Sequence, residues 1–208
     1  MKITEIKKQQ KGKDRFNIFI DGNFAFGLYK DTIADFGLRV NDDLSETRIS
    51  EIKEIDEFNF GKKAAFDFLS YRQRSRKEVY DKLKLKKISE HTISKILLFL
   101  ENLNYVDDRA FTKSFIASAA SGKPSGKKLI LQKLLKKGID KNLAESILNE
   151  NYNEMTEYEN AKILLLKYLP KIRQKENYEI KKKCFAYLAS RGFDYETINI
   201  LLNSELNK

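Results

Sequence analysis

Tryptophan is absent from this chain of 208 residues, and cysteine and histidine occur once each, at Cys184 and His91. A single cysteine excludes an internal disulfide framework and fits a reducing compartment, the cytoplasm. With so few soft ligands, no Cys/His cluster has the spacing of a metal site. Proline occurs only at Pro124 and Pro170, so helices can run with little interruption. The longest apolar run, "ILLFL" from Ile96 to Leu100, is far too short to span a bilayer. The opening "MKITEIKKQQKGKDRF" has no apolar stretch that could serve as a secretory signal. These absences predict a cytoplasmic protein with no membrane anchor, no metal and no cofactor.

Positive charge is what the chain has in excess. The net charge is +10, unevenly spread: residues 1–60 carry ten Lys/Arg against twelve Asp/Glu, and residues 61–208 carry thirty against eighteen. A slightly acidic leader therefore precedes a body of net charge +12. A polyanion such as DNA, or an acidic protein surface, is the partner such a body suits.

Two patterns follow one another. In "RFNIFID" the residues Phe16, Ile18 and Ile20 fall on one face, Asp21-Gly22-Asn23 reads as a tight turn, and "FAFGLY" continues. With "KITEIKK" before it, this predicts a three-stranded antiparallel meander, followed by helical segments in "KDTIADFGL" and "SETRISEIKEIDEF". From Gly61 onward the periodicity is helical throughout, and it repeats. Leu83, Leu134 and Leu188 align, as do Ile88, Ile139 and Phe193, and the helix-opening Ser89, Asp140 and Asp194. The offsets of 51 and 54 residues leave room for three short helices per unit. The expected fold is mainly α: a β-meander and helical leader at 1–60, then three-helix repeats at 61–109, 110–156 and 157–208, forming an elongated, curved array.

Within one repeat the helix signals are explicit. Ser75 with Glu78 three residues on reads as a capping box, and Ser89 caps the next helix. Lys87, Gly138 and Gly192 stand at the turn between the second and third helices.

The segment "YRQRSRKEVYDKL" sets Arg72, Arg74 and Arg76 at every second position, with Lys77 after them. That spacing is a turn pattern and not a helix face, so the cations sit at an inter-helix corner. The second repeat places Lys123, Lys127 and Lys128 at its corner, and the third places Lys171, Arg173 and Lys175 near its own. Corner cations beside a helix start, whose N–H groups are free, suit phosphate contacts.

Catalysis finds no support in the sequence, and the chain reads as a non-enzyme. His91 lies on a polar helix face. Asp107-Asp108 precede a helical pattern and read as an N-cap with a favourable helix-start charge. "GKPSGKK" (122–128) lacks the residue order of a phosphate-binding P-loop, and no strand precedes it. Cys184, in "KCFAYL", reads as a core thiol.

Three segments resemble the RecX family of recombination regulators. "LSYRQRSRKEVYDKLKLKKI" (69–88) is similar to that family's Leu-x-x-Arg…Ser-x-x-Glu-Leu…Lys-Leu-x-x-Lys-Gly pattern, with Lys87 where glycine is usual. "LENLNYVDDRAFTKSFI" (100–116) is similar to Leu-Gly-Tyr-Leu/Ile-Asp-Asp…Phe-Ala, with Asn104 for glycine and Thr112 for alanine. "GKKLILQKLLKKGI" (126–139) is similar to Gly-Pro…Ile…Leu-x-x-Lys-Gly-Ile, with Lys127 where proline is common. The resemblance implies three tandem three-helix units. It further implies binding of RecA and its DNA filament, with inhibition of ATP hydrolysis, strand exchange and co-protease activity, as part of DNA repair and the SOS response. Single- or double-stranded DNA is a second expected partner, and the protein is expected to act as a monomer. The alternative is a sequence-nonspecific nucleic-acid-binding helical repeat without a RecA partner.

Overall fold

The computed structural model describes residues 1–10, 14–122, 124–172 and 177–206. The chain divides into two compact units, one of Met1–Arg72 with Val79–Tyr105, the other of Gln73–Glu78 with Val106–Lys208.

The first unit opens with the antiparallel sheet that the alternation predicts. Strands β1 (Ile3–Lys8), β2 (Arg15–Ile20) and β3 (Asn23–Tyr29) lie in the order β1-β2-β3. Asp21 and Gly22 join β2 to β3 with φ of 49° and 84°, the paired left-handed conformations that match a hairpin turn to strand twist. Three strands are marginal alone. They are covered by α1 (Lys30–Asp35) and α2 (Glu46–Leu69), which bring Ile52 against Ile3, Ile18 and Leu28, all fully buried. Each such side chain removed from water contributes roughly 2 kcal/mol.

Helix α2 is longer than its N-terminal signals suggest. Ser45 caps it by accepting the Arg48 amide, and it then runs without a break through residues 60 and 61 to Leu69. One helix thus serves as the last element of the leader and the first of the repeats. Gly61 does not interrupt it. The side chains of Ile88 and Ile96 occupy the space a Cβ there would need, so the glycine lets α4 (Glu90–Asn102) approach closely. Val79 and Leu83 from α3 (Arg76–Leu85) and Ile93, Ile96, Leu97 and Leu100 from α4 complete this core. Ser89 accepts the Thr92 amide as the α4 cap, and Lys87 takes the left-handed φ of 61° at the turn.

The second unit holds the other two repeats. The helices α5 (Asp108–Ser121), α6 (Lys127–Lys136) and α7 (Lys141–Asn151) enclose Ile116, Ile130, Leu134, Ile147 and Tyr152. Helices α8 (Glu154–Tyr168), α9 (Asn177–Ser190) and α10 (Tyr195–Leu206) enclose Leu165, Cys184, Leu188, Ile198 and Leu201. Asp107 and Asp140 cap α5 and α7, and Gly138 and Gly192 adopt φ of 78° and 86°. The Cys184 thiol is fully buried and its pKa is pushed up to about 11 by that burial, which suits a core thiol. No helix among the described residues is long and apolar enough to cross a membrane.

Candidate functional site

The first basic corner is the link between α2 and α3. Arg72 is the last residue of the first unit's opening segment, whereas Arg74, Arg76 and Lys77 belong to the second unit. Arg72, Arg76 and Lys77 are exposed and Arg74 is half-buried. The capping box forms as its sequence predicts: the Ser75 hydroxyl accepts the Glu78 amide and the Glu78 carboxylate accepts the Ser75 amide, each at 3.2 Å.

The expected free amides at this helix start are not free. The Arg76 amide donates to Asp108 Oδ1 at 2.8 Å, and the Ser75 hydroxyl donates to the Lys137 carbonyl at 2.7 Å. Lys137 Nζ also reaches Glu78 Oε1 at 2.7 Å, and the aliphatic stem of Lys77 fills the space beside the Cα of Gly138. The start of α3 is therefore a joint. It is built on the start of α5 and the turn between α6 and α7.

The second corner repeats the arrangement one unit on. The Lys127 amide donates to Glu157 Oε1 at 3.1 Å. The Gly126 amide donates to the Arg191 carbonyl at 2.9 Å, and the Lys128 amide donates to the Gly192 carbonyl at 3.1 Å. Lys127 is half-buried and Lys128 exposed. Glu157 is only 2% exposed; burial raises its pKa, while the Lys127 amide and the charges of Lys127 and Lys128 oppose that shift. Tyr152 reinforces the joint. Its hydroxyl donates to the Ser125 carbonyl at 2.7 Å and accepts from Asn160 at 2.9 Å, and burial pushes its pKa up to about 12.

Of the third corner, Lys171 is exposed at the end of the short 3₁₀ turn Leu169–Lys171. Lys123, Arg173 and Lys175 lie outside the described residues. His91 is exposed and lies 3.5 Å from Glu54. Asp107 accepts the Arg109 and Ala110 amides, the capping role its position predicts.

At these corners the phosphate cradle expected of the backbone gives way to side chains alone. Both helix starts spend their leading amide on a carboxylate of the following repeat, since the first amides of a helix have no partner within it. Glu157, Asp108 and Lys137 carry no local signal of this role. Only the repeat alignment, which sets Arg76 opposite Lys127, could have pointed to it.

Known proteins supply the frame for this geometry. Residues 1–45 match the family model described as the regulatory protein RecX N-terminal domain. Residues 62–100, 107–148 and 156–202 match the first, second and third three-helix domains of RecX. The chain is 32% identical over 202 residues to the regulatory protein RecX of Staphylococcus aureus strain Newman, covering 97% of this chain and 74% of that one. A crystal structure of regulatory protein RecX superposes with a TM-score of 0.72 at 27% identity, covering 97% of this chain and 98% of that one. The crystal structure of RecX from Lactobacillus salivarius gives a TM-score of 0.67 at 32% identity, over 74% of this chain and 98% of the other. Repeats, joints and relatives agree, and the chain belongs to the RecX family of regulatory proteins.

Proposed function

We propose that this protein binds RecA and the filament RecA forms on DNA, and lowers the ATPase, recombinase and co-protease activities of RecA. Membership of the RecX family is the observation that carries this reading. The charge distribution supports it, since the repeats hold all of the positive excess. The contacts fall to the corner side chains Arg72, Arg74, Arg76, Lys77, Lys127, Lys128 and Lys171. Guanidinium and ammonium groups at a bend reach a phosphate or a carboxylate without help from the backbone. The protein acts as a cytoplasmic monomer and by binding, with no reaction of its own.

The test is RecA's DNA-stimulated ATPase, titrated with the full chain. The rate falls with added protein if the reading holds, and an unchanged rate at saturating protein rejects it. The excess of positive charge also favours a second reading, a nucleic-acid-binding repeat indifferent to RecA. That reading predicts DNA affinity that drops steeply with salt and an ATPase that does not respond.

A further inference from the structure

The first unit contains a cavity of about 610 Å³ whose lining reaches Tyr71, the residue before Arg72. Its floor is the stripe Asp56, Phe60, Lys63 and Asp67 of α2, at helical spacing. The end of β3 and the start of α1 form one wall, and Lys82 of α3 with Lys86, in the turn just past it, forms another. The volume falls within the range of small-molecule sites.

Three features define what would fit. The first is a rigid aromatic slab. Tyr29 and Phe60 stack with centroids 5.1 Å apart and planes 12° from parallel, and the buried carboxylate of Asp56 holds the Tyr29 amide at 2.8 Å. The second is a cluster of cations. Lys63 comes from α2, Lys82 from α3, and Lys86 from the turn just past α3. Among the described residues none of the three forms an ion pair. The third is a set of three exposed carboxylates, Asp14, Asp31 and Asp67, which line the same cavity yet stay beyond ion-pair distance of those lysines. A ligand that satisfies all three has a flat apolar ring, an anionic group and hydroxyl donors.

We propose that this cavity binds a nucleoside phosphate. The base lies against the aromatic slab, the phosphate is held by Lys63, Lys82 and Lys86, and sugar hydroxyls donate to Asp31 or Asp67. This assignment rests on the first unit's own geometry and does not depend on RecA binding.

The experiment is calorimetric titration of the full chain, without RecA, using ADP, inorganic phosphate and a thymidine pentanucleotide as probes. ADP binds saturably, and phosphate alone binds at least about tenfold more weakly because it forgoes the stack. Lys82→Ala/Lys86→Ala weakens ADP about tenfold or more. Phe60→Leu weakens ADP as well, and the lysine variant decides the matter if that protein does not fold. Competition by the pentanucleotide assigns the natural ligand to a single strand, and its failure to compete assigns it to a free nucleotide. No saturable ADP binding at about 10 mM, where even a millimolar site would be filled, overturns the proposal. So does phosphate binding as tightly as ADP, or ADP binding undiminished by the lysine substitutions.

Discussion

The joint at Ser75 and the joint at Gly126 solve one problem with different chemistry. In each, the second helix of a repeat starts against the turn that precedes the third helix of the next repeat. In each, a carboxylate from the next repeat's first helix accepts the leading amide. At the first joint a side chain spans the gap: Ser75 Oγ accepts from Glu78 and donates to the Lys137 carbonyl. At the second joint there is no side chain and no gap. The Gly126 backbone bonds directly to Arg191, and a Cβ on Gly126 would collide with the backbone of Gly192. Closer approach also buries the capping carboxylate more deeply, since Asp108 is half-buried and Glu157 is almost fully enclosed. Tighter stacking thus comes with an intolerance of any side chain at the cap and with sensitivity to protonation.

Gly126→Ala gives the largest expected effect. The methyl group meets backbone that cannot step aside, and urea unfolding should show a loss of about 3 kcal/mol. A loss below that of Ser75→Ala would erase the distinction between the joints. Ser75→Ala removes a cap and leaves the Lys137 carbonyl without its donor, at a cost of about 1–2 kcal/mol.

The carboxylates give smaller effects with a clearer signature. Glu157→Gln keeps an oxygen to accept the Lys127 amide and removes a buried charge. Burial holds the folded-state pKa of Glu157 above 4.5, so the folded protein takes up this proton more readily than the unfolded chain. The group's contribution is greatest below pH 4.5 and is lost as pH rises through the folded pKa. Glu157→Gln is therefore more stable than the parent at pH 7, and the gain shrinks as the pH falls toward 4.5. Asp108→Asn, at the half-buried joint, changes stability by about 0.5 kcal/mol or less. Thermal melts of both variants from pH 4 to 8 compare the two joints directly.

Much of this architecture can be read from short-range signals. Ser75 with Glu78, Ser89, Asp107 and Asp140 are caps whose partners lie two or three residues away. Gly138 and Gly192 announce their turns because the left-handed conformation there favours glycine. Lys87 and Asn104 adopt the same conformation without it. Gly61 carries no such signal, for a physical reason. A glycine that ends a helix and one that admits a neighbouring helix look alike in sequence, and only the side chains of Ile88 and Ile96, 27 and 35 residues on, tell them apart. The fate of the α3 and α6 leading amides was equally hidden, since their acceptors lie 32 and 30 residues away. The corner arginines stood out in the sequence, whereas the joint beneath them did not.

If the corners bind through side chains while their backbone is committed to stacking, removing the side chains must remove the partner. The measurement is binding of the full chain to preassembled RecA–DNA filaments, for the parent and for Arg72→Ala/Arg74→Ala/Arg76→Ala. The account predicts filament binding by the parent, and affinity lower by about tenfold or more in the folded variant. A parent that leaves the filament untouched, or a variant that binds it equally well, would contradict the account.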